Sequence, residues 1–105
     1  MKVKIKENSW IAKMAAAKMK AAKVAIVFGN TIHLHNTGRE EFLQDSHWVC
    51  HELKHVQQYR QHGFAGFIFK YLIDCVKNGY YDNKFEVEAR ASEQNKKLID
   101  EVWFD

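Results

Sequence analysis

Proline is absent from this chain, so no residue marks an internal linker or forces a helix to kink. Cysteine is scarce: Cys50 and Cys75 stand alone and lack a C-x-x-C spacing. Two free thiols in a reducing compartment account for them, with one bridge between them as the alternative. The longest apolar run, Phe64 to Val76, is too short to span a bilayer and carries Lys70 and Asp74. Lysines interrupt every apolar stretch ahead of Ala25, which argues against a signal peptide. The expectation is a soluble, cytoplasmic protein with no membrane association. Aromatic residues are not interleaved with the early lysines (Lys2, Lys4, Lys6, Lys13, Lys18, Lys20 and Lys23), so a platform for stacking single-stranded nucleic acid is missing. A solvated basic helix face explains that run, the formal charge of +3 is modest, and no nucleic-acid partner is expected.

What is present suits one folded domain spanning residues 1–105. Apolar residues make up 47% and charged residues 28%, and seven Phe, four Tyr and three Trp supply the large buried surfaces that a small core needs. Asn8 or Ser9 is a good N-cap for a helix from Trp10 to Lys23, with Trp10, Ile11, Met14, Ala15, Met19 and Ala22 as its apolar stripe. Met1 to Lys6 alternates Val3 and Ile5 with lysines, the pattern of a short edge strand. Val24 to Phe28, the turn at Gly29-Asn30 and the alternating Thr31 to His35 predict a β-hairpin. Asn36-Thr37-Gly38 then punctuates the chain. Asp45 or Ser46 caps a helix reaching Arg60 or Gln61, and Gly63 ends it. A helix from Phe64 to Val76 stops at Asn78-Gly79, and a last one runs from Lys84 to Glu101 behind Asp82 or Asn83.

The chemistry lies in His51-Glu52-Leu53-Lys54-His55, an H-E-x-x-H sequence inside a predicted helix. Residues four apart share a helix face, so both imidazoles reach one ion, and neutral imidazole binds zinc at about 2.0–2.1 Å. Glu52 projects toward the open side of such an ion, where it takes a proton from water. The competing explanation is a chance match with solvated histidines; Val49, Leu53, Val56 and Gln57, which mark a packed face, count against it. Three carboxylates compete for a third ligand, Glu86, Glu88 and Glu93, and spacing alone does not choose among them. His33 and His35 share a strand face but lack further ligands, so they read as solvent-facing or cleft-lining. His47 extends the histidine ladder and reads as packing near the helix start. The run Phe64, Phe67, Phe69, Tyr71 reads as core.

His51 to His55, followed by Gln57, Gln58 and Tyr59, then Gly79-Tyr80 and Asn83 to Ala89, resembles the gluzincin branch of zincin metallopeptidases, in particular small bacterial members reduced to the metal core. The resemblance covers Ile26 to Ala91. It implies an α+β fold: an N-terminal helix, a short β-hairpin, then three helices with the H-E-x-x-H helix central. It also implies that the third zinc ligand is the Glu of an E-x-x-A pattern, here Glu86 with Ala89, leaving Glu88 as the fallback. Ala89 would let the two metal helices approach closely. Many gluzincins place an Asp after that pattern to bond a metal histidine, whereas this chain has Arg90 and Ala91. Asp45, Asp74, Asp82, Asn83 or a backbone carbonyl are the substitutes considered.

Two functions follow. One is a zinc-dependent peptidase in which Glu52 shuttles the proton, Tyr80, Tyr81 or His62 stabilises the oxyanion, and an extended peptide pairs with the edge of Thr31 to His35. The other is a non-catalytic zinc-binding interaction module. The small size favours the module, and the intact Glu52 favours the enzyme.

Overall fold

A computed structural model describes residues 1–105. The hairpin forms as its pattern demands: β2 (Val24–Phe28) and β3 (Thr31–His35) pair antiparallel from Val24 opposite His35 to Phe28 opposite Thr31. Gly29 takes φ +63 at the first position of the two-residue turn, where a tight hairpin calls for a residue free of a Cβ. β1 (Lys2–Lys6) then pairs in parallel with β3, and a short β4 (Trp103–Phe104) pairs in parallel with β1. The sheet order is therefore β2-β3-β1-β4. Two expectations are corrected by it: β1 and Thr31–His35 are both interior strands, and β2 is the free edge beside the helices. The reason is a return of the chain's end, which pairs with β1 and is tied down by Arg39, whose guanidinium donates to the Phe104 and Asp105 carbonyls.

Helices cover both faces of the sheet. α1 (Trp10–Met19) lies on one, with Ala12, Ala16 and Val24 at its contact and Ile26 packed alongside. The helix is shorter than its alanines and lysines suggest. Lys20 adopts a left-handed conformation, and Ala21 N–H bonds back to Ala16 O at 3.0 Å, so the chain turns sharply into β2. The expected stripe is also rotated: Trp10 and Met14 are exposed, and the buried positions are alanines. Small side chains let the helix approach the sheet closely enough to bury His33, whose Nδ1 lies 2.8 Å from Ser9 Oγ. His33 is thus an internal residue rather than a solvent-facing one.

On the other face, Val3, Ile32 and Leu34 meet α3 (Ser46–His62) through Val49, Cys50, Leu53 and Val56, with Phe42 from α2 (Arg39–Gln44) filling the gap. The α2 helix falls in a stretch where none is predicted; Gly38 starts it, and its first N–H is taken by the Glu7 carboxylate. α4 (Phe64–Asn78) follows directly and packs on α3, while α5 (Lys84–Ala91) crosses back against α3. The last predicted helix breaks at Ser92, whose hydroxyl bonds the Glu88 carbonyl, and resumes as α6 (Lys97–Asp100) to place Leu98 in the core. Both cysteines are free thiols. No helix is long and apolar enough to cross a membrane.

If the small residues set the spacing of α1, Ala12→Leu should overpack that contact and lower stability by about 1–3 kcal/mol. Met14→Lys, on the exposed side, should change it by less than about 0.5 kcal/mol. Urea denaturation of both variants checks the assignment, and the reverse ranking would restore the stripe read from the sequence.

Candidate metal centre

The site is built where α3 crosses the start of α5. Asp45 caps α3 by accepting from Trp48 N–H, and the H-E-x-x-H segment lies in the next turns. The start of α5 is fixed more elaborately. Asn83, fully buried, accepts from Phe85 N–H at 2.8 Å and donates to Tyr71 O and Cys75 Sγ, while Asp74 accepts from Lys84 N–H at 2.7 Å. These bonds lock α5 to α4 and set Glu86 in the first helical turn, facing α3. Ala89 is fully buried, and its small side chain permits the close helix approach.

The outcome is a convergence of three ligand atoms. Glu86 Oε1 lies 3.1 Å from His51 Nε2 and 3.2 Å from His55 Nε2, and the three residues' ligand atoms all fall within 4.8 Å of one another. Ligands at about 2.0–2.1 Å around a tetrahedral ion stand about 3.3 Å apart, so the spacing fits a shared metal ion. The outward ring nitrogens are equally constrained. His51 Nδ1 meets Glu93 Oε2, and His55 Nδ1 meets Gln58 Oε1, both at 2.8 Å. The Gln58 amide is oriented by donating to Phe85 O and Glu88 Oε1. Carboxylate and amide oxygens only accept, so each Nδ1 carries a proton; each Nε2 donates a second proton to the Glu86 oxygen when no metal is bound, and would turn its lone pair to a metal ion in place of that proton. That inward arrangement needs positive charge at its centre, from added protons or from a metal ion.

The electrostatics agree. Burial alone would lower the His51 imidazole, but its bond to Glu86, the charge of Glu52 and its bond to Glu93 reverse that and raise it. His55 is raised by the same balance, with Glu86 the main opponent of burial. Burial works to raise Glu86, yet the two histidines and the Tyr71 hydroxyl, which donates to Oε2 at 2.5 Å, hold it far below the usual carboxylate range. Glu52 is pushed up to about 7 by burial, against the pull of His55 and His51. It lines a cavity of about 280 Å³ together with His51, His55 and Glu86. Its other walls include the β2 edge, Phe67, Ile68, Tyr71, Leu72 and Tyr80.

Of the carboxylates weighed from the sequence, Glu86 alone joins the histidines. Glu88 points away and holds Gln58, and Glu93 bonds the far side of His51. The substitutes named for the missing Asp do not serve: Asp45, Asp74 and Asn83 cap helices, and Asp82 is exposed. His47 is exposed rather than packed. Gln58, three residues beyond His55 on one helix face, was visible as a spacing; the Glu93 contact depends on the break at Ser92 and was not.

Residues 1–63 match the family described as the eCIS core domain. The chain belongs to that family. The matched span of the eCIS core domain runs from β1 through α3 and so contains His51, Glu52 and His55, while Glu86 comes from the segment that follows it. No curated protein and no solved structure matches the chain.

Purified chain should hold about one metal ion, and His51→Ala should lose it. Glu86→Ala should abolish retention, whereas Gln58→Ala and Glu93→Ala should weaken it about 10–100-fold by freeing the imidazoles. Glu88→Ala should cost less than either. Competition with a metal-sensitive dye reads all five, and total loss in Glu88→Ala with retention in Glu86→Ala would reassign the ligand.

Proposed function

We propose that the chain is a minimal zinc-dependent peptidase of the gluzincin kind, with His51, His55 and Glu86 as the ligands. The observation that carries this reading is the two inward Nε2 atoms meeting one carboxylate oxygen beside a buried Glu52. Two imidazoles and one carboxylate are a zinc donor set, and three protein ligands leave a position for water or substrate. Bound there, zinc supplies Lewis acidity toward a carbonyl and lowers the pKa of water.

The chain's own groups supply the rest. Glu52 takes the proton from the attacking water and hands it to the departing amine. Of the three residues weighed for the oxyanion, Tyr80 lines the cavity beside Glu52 and Glu86, and its hydroxyl is pushed up to about 12 by burial and by those two carboxylates. A phenol kept protonated is a hydrogen-bond donor. Tyr81 instead lies over the Arg90 guanidinium, and His62 packs on Phe67 and Phe85. Tyr71 and Gln58 position Glu86 and His55.

Substrate would pair with β2. In a two-residue hairpin the closing pair Phe28–Thr31 exchanges hydrogen bonds, so alternation turns the backbone groups of Ala25 and Val27 to the free edge. Both residues line the cavity, which suits an extended peptide laid along the edge.

With zinc bound, Glu52→Gln should cut peptide cleavage about 10²–10⁴-fold without loss of metal. Tyr80→Phe should lower kcat more than it changes KM. Mass-spectrometric digestion of an unstructured peptide library gives both readouts. Zinc retention with no cleavage of any peptide by the wild-type chain would favour a non-catalytic zinc module instead.

A further inference from the structure

An uncovered apolar stripe lies outside the metal centre, on α4. Phe67 is its one buried residue, and on the opposite side Phe69, Leu72, Ile73 and Val76 are 67%, 57%, 40% and 88% exposed. Their spacing is i, i+3, i+4 and i+7, a continuous stripe along the outer face of a helix about 22 Å long. The two flanks of that stripe differ. Lys70 and Lys77 form one, exposed and without a carboxylate partner; Lys70 meets only the His62 ring at 3.1 Å. Asp74, the single acid of the helix, is turned inward to the start of α5. The other flank, through Ile68 and Leu72, runs into the wall of the metal cavity.

We propose that this face docks an amphipathic helix of a protein partner, with apolar residues along its seam and carboxylates along the flank that meets Lys70 and Lys77. A stripe at that spacing offers holes for the side chains of a second helix. It offers no free backbone groups to a strand, which the β2 edge does. Charge selects the occupant further. In an antiparallel pair of α4 helices, Phe69 would meet Val76 and Lys70 would come against Lys77 of the other copy, a like-charge contact. A lipid surface asks for cations on both sides of an embedded helix, and here lysines line one side only, the other running into the cavity wall through Ile68 and Leu72. A partner seated on α4 would also extend the wall of the cavity beside Leu72, so docking and access to the metal centre share a border. The surface does not depend on whether that centre cleaves peptides.

The test uses the full chain and two synthetic Leu-seamed helical peptides, identical except for Glu or Lys along one flank. The Glu-flanked peptide should bind about tenfold more tightly by fluorescence anisotropy, and the preference should shrink as salt rises. Lys70→Glu with Lys77→Glu should invert the preference. Val76→Glu, at the most exposed position, should abolish binding of both peptides while circular dichroism and metal content stay unchanged. Absence of binding, or a preference that survives the charge reversal, overturns the proposal. So does tighter binding to phosphatidylglycerol–phosphatidylcholine vesicles than to either peptide. A dimer seen in sedimentation and dissolved by Val76→Glu would overturn it too, as the face would then belong to a second copy.

Discussion

One carboxylate oxygen organises this protein. Glu86 Oε1 sits against the Nε2 atoms of both His51 and His55, in a place where each residue is largely removed from water. A buried carboxylate is costly unless positive charge and hydrogen bonds surround it, and both histidines are costly unless their outward nitrogens are satisfied. Every neighbour answers one of those demands. Tyr71 donates to the second Glu86 oxygen, Glu93 and Gln58 accept from the rings, and Gln58 is in turn held by Phe85 and Glu88. No buried side-chain nitrogen or oxygen is left without a partner. A network so complete on its outside and so strongly polarised toward its centre could hold a metal ion.

The scaffold delivers that oxygen by rigid parts. The sheet fixes α3 through Val3, Ile32 and Leu34, and α3 carries three of the chemical residues, His51, Glu52 and His55, within two adjacent turns. α5 is short, and its position comes from Asn83 and Asp74 rather than from a broad apolar seam. The third ligand therefore rests on polar caps between α4 and α5. That division coincides with the family boundary: the eCIS core domain span ends at residue 63, and the elements that complete the site and expose the apolar stripe come after it.

Much of this was legible residue by residue. The hairpin followed from Gly29-Asn30 between two β-patterned runs, α3 from Asp45 and Gly63 at its ends, and α4 from Phe64 through its glycine stop. Those signals are local, because caps and turns act within a few residues. The α1 stripe misled because hydrophobicity favours Trp10 and Met14, whereas close packing on a sheet favours Ala12 and Ala16. The edge strand misled because nothing near Thr31 announces that β1 will lie beside it, or that the chain's last residues will return to β1.

By itself, then, the chain's order of residues determined that two imidazoles share one helix face with an acid next to the first, since that needs only 3.6 residues per turn. It also determined an α+β fold, through local changes of period. Only the tertiary structure decided which carboxylate faces the histidines, which groups hold their outward nitrogens, and which strand is left free beside the cavity. Each of those depends on how distant segments cross. A glutamate on α5 reads the same in sequence whether it turns toward α3 or toward water, and the caps at Asn83 and Asp74 settle which it does.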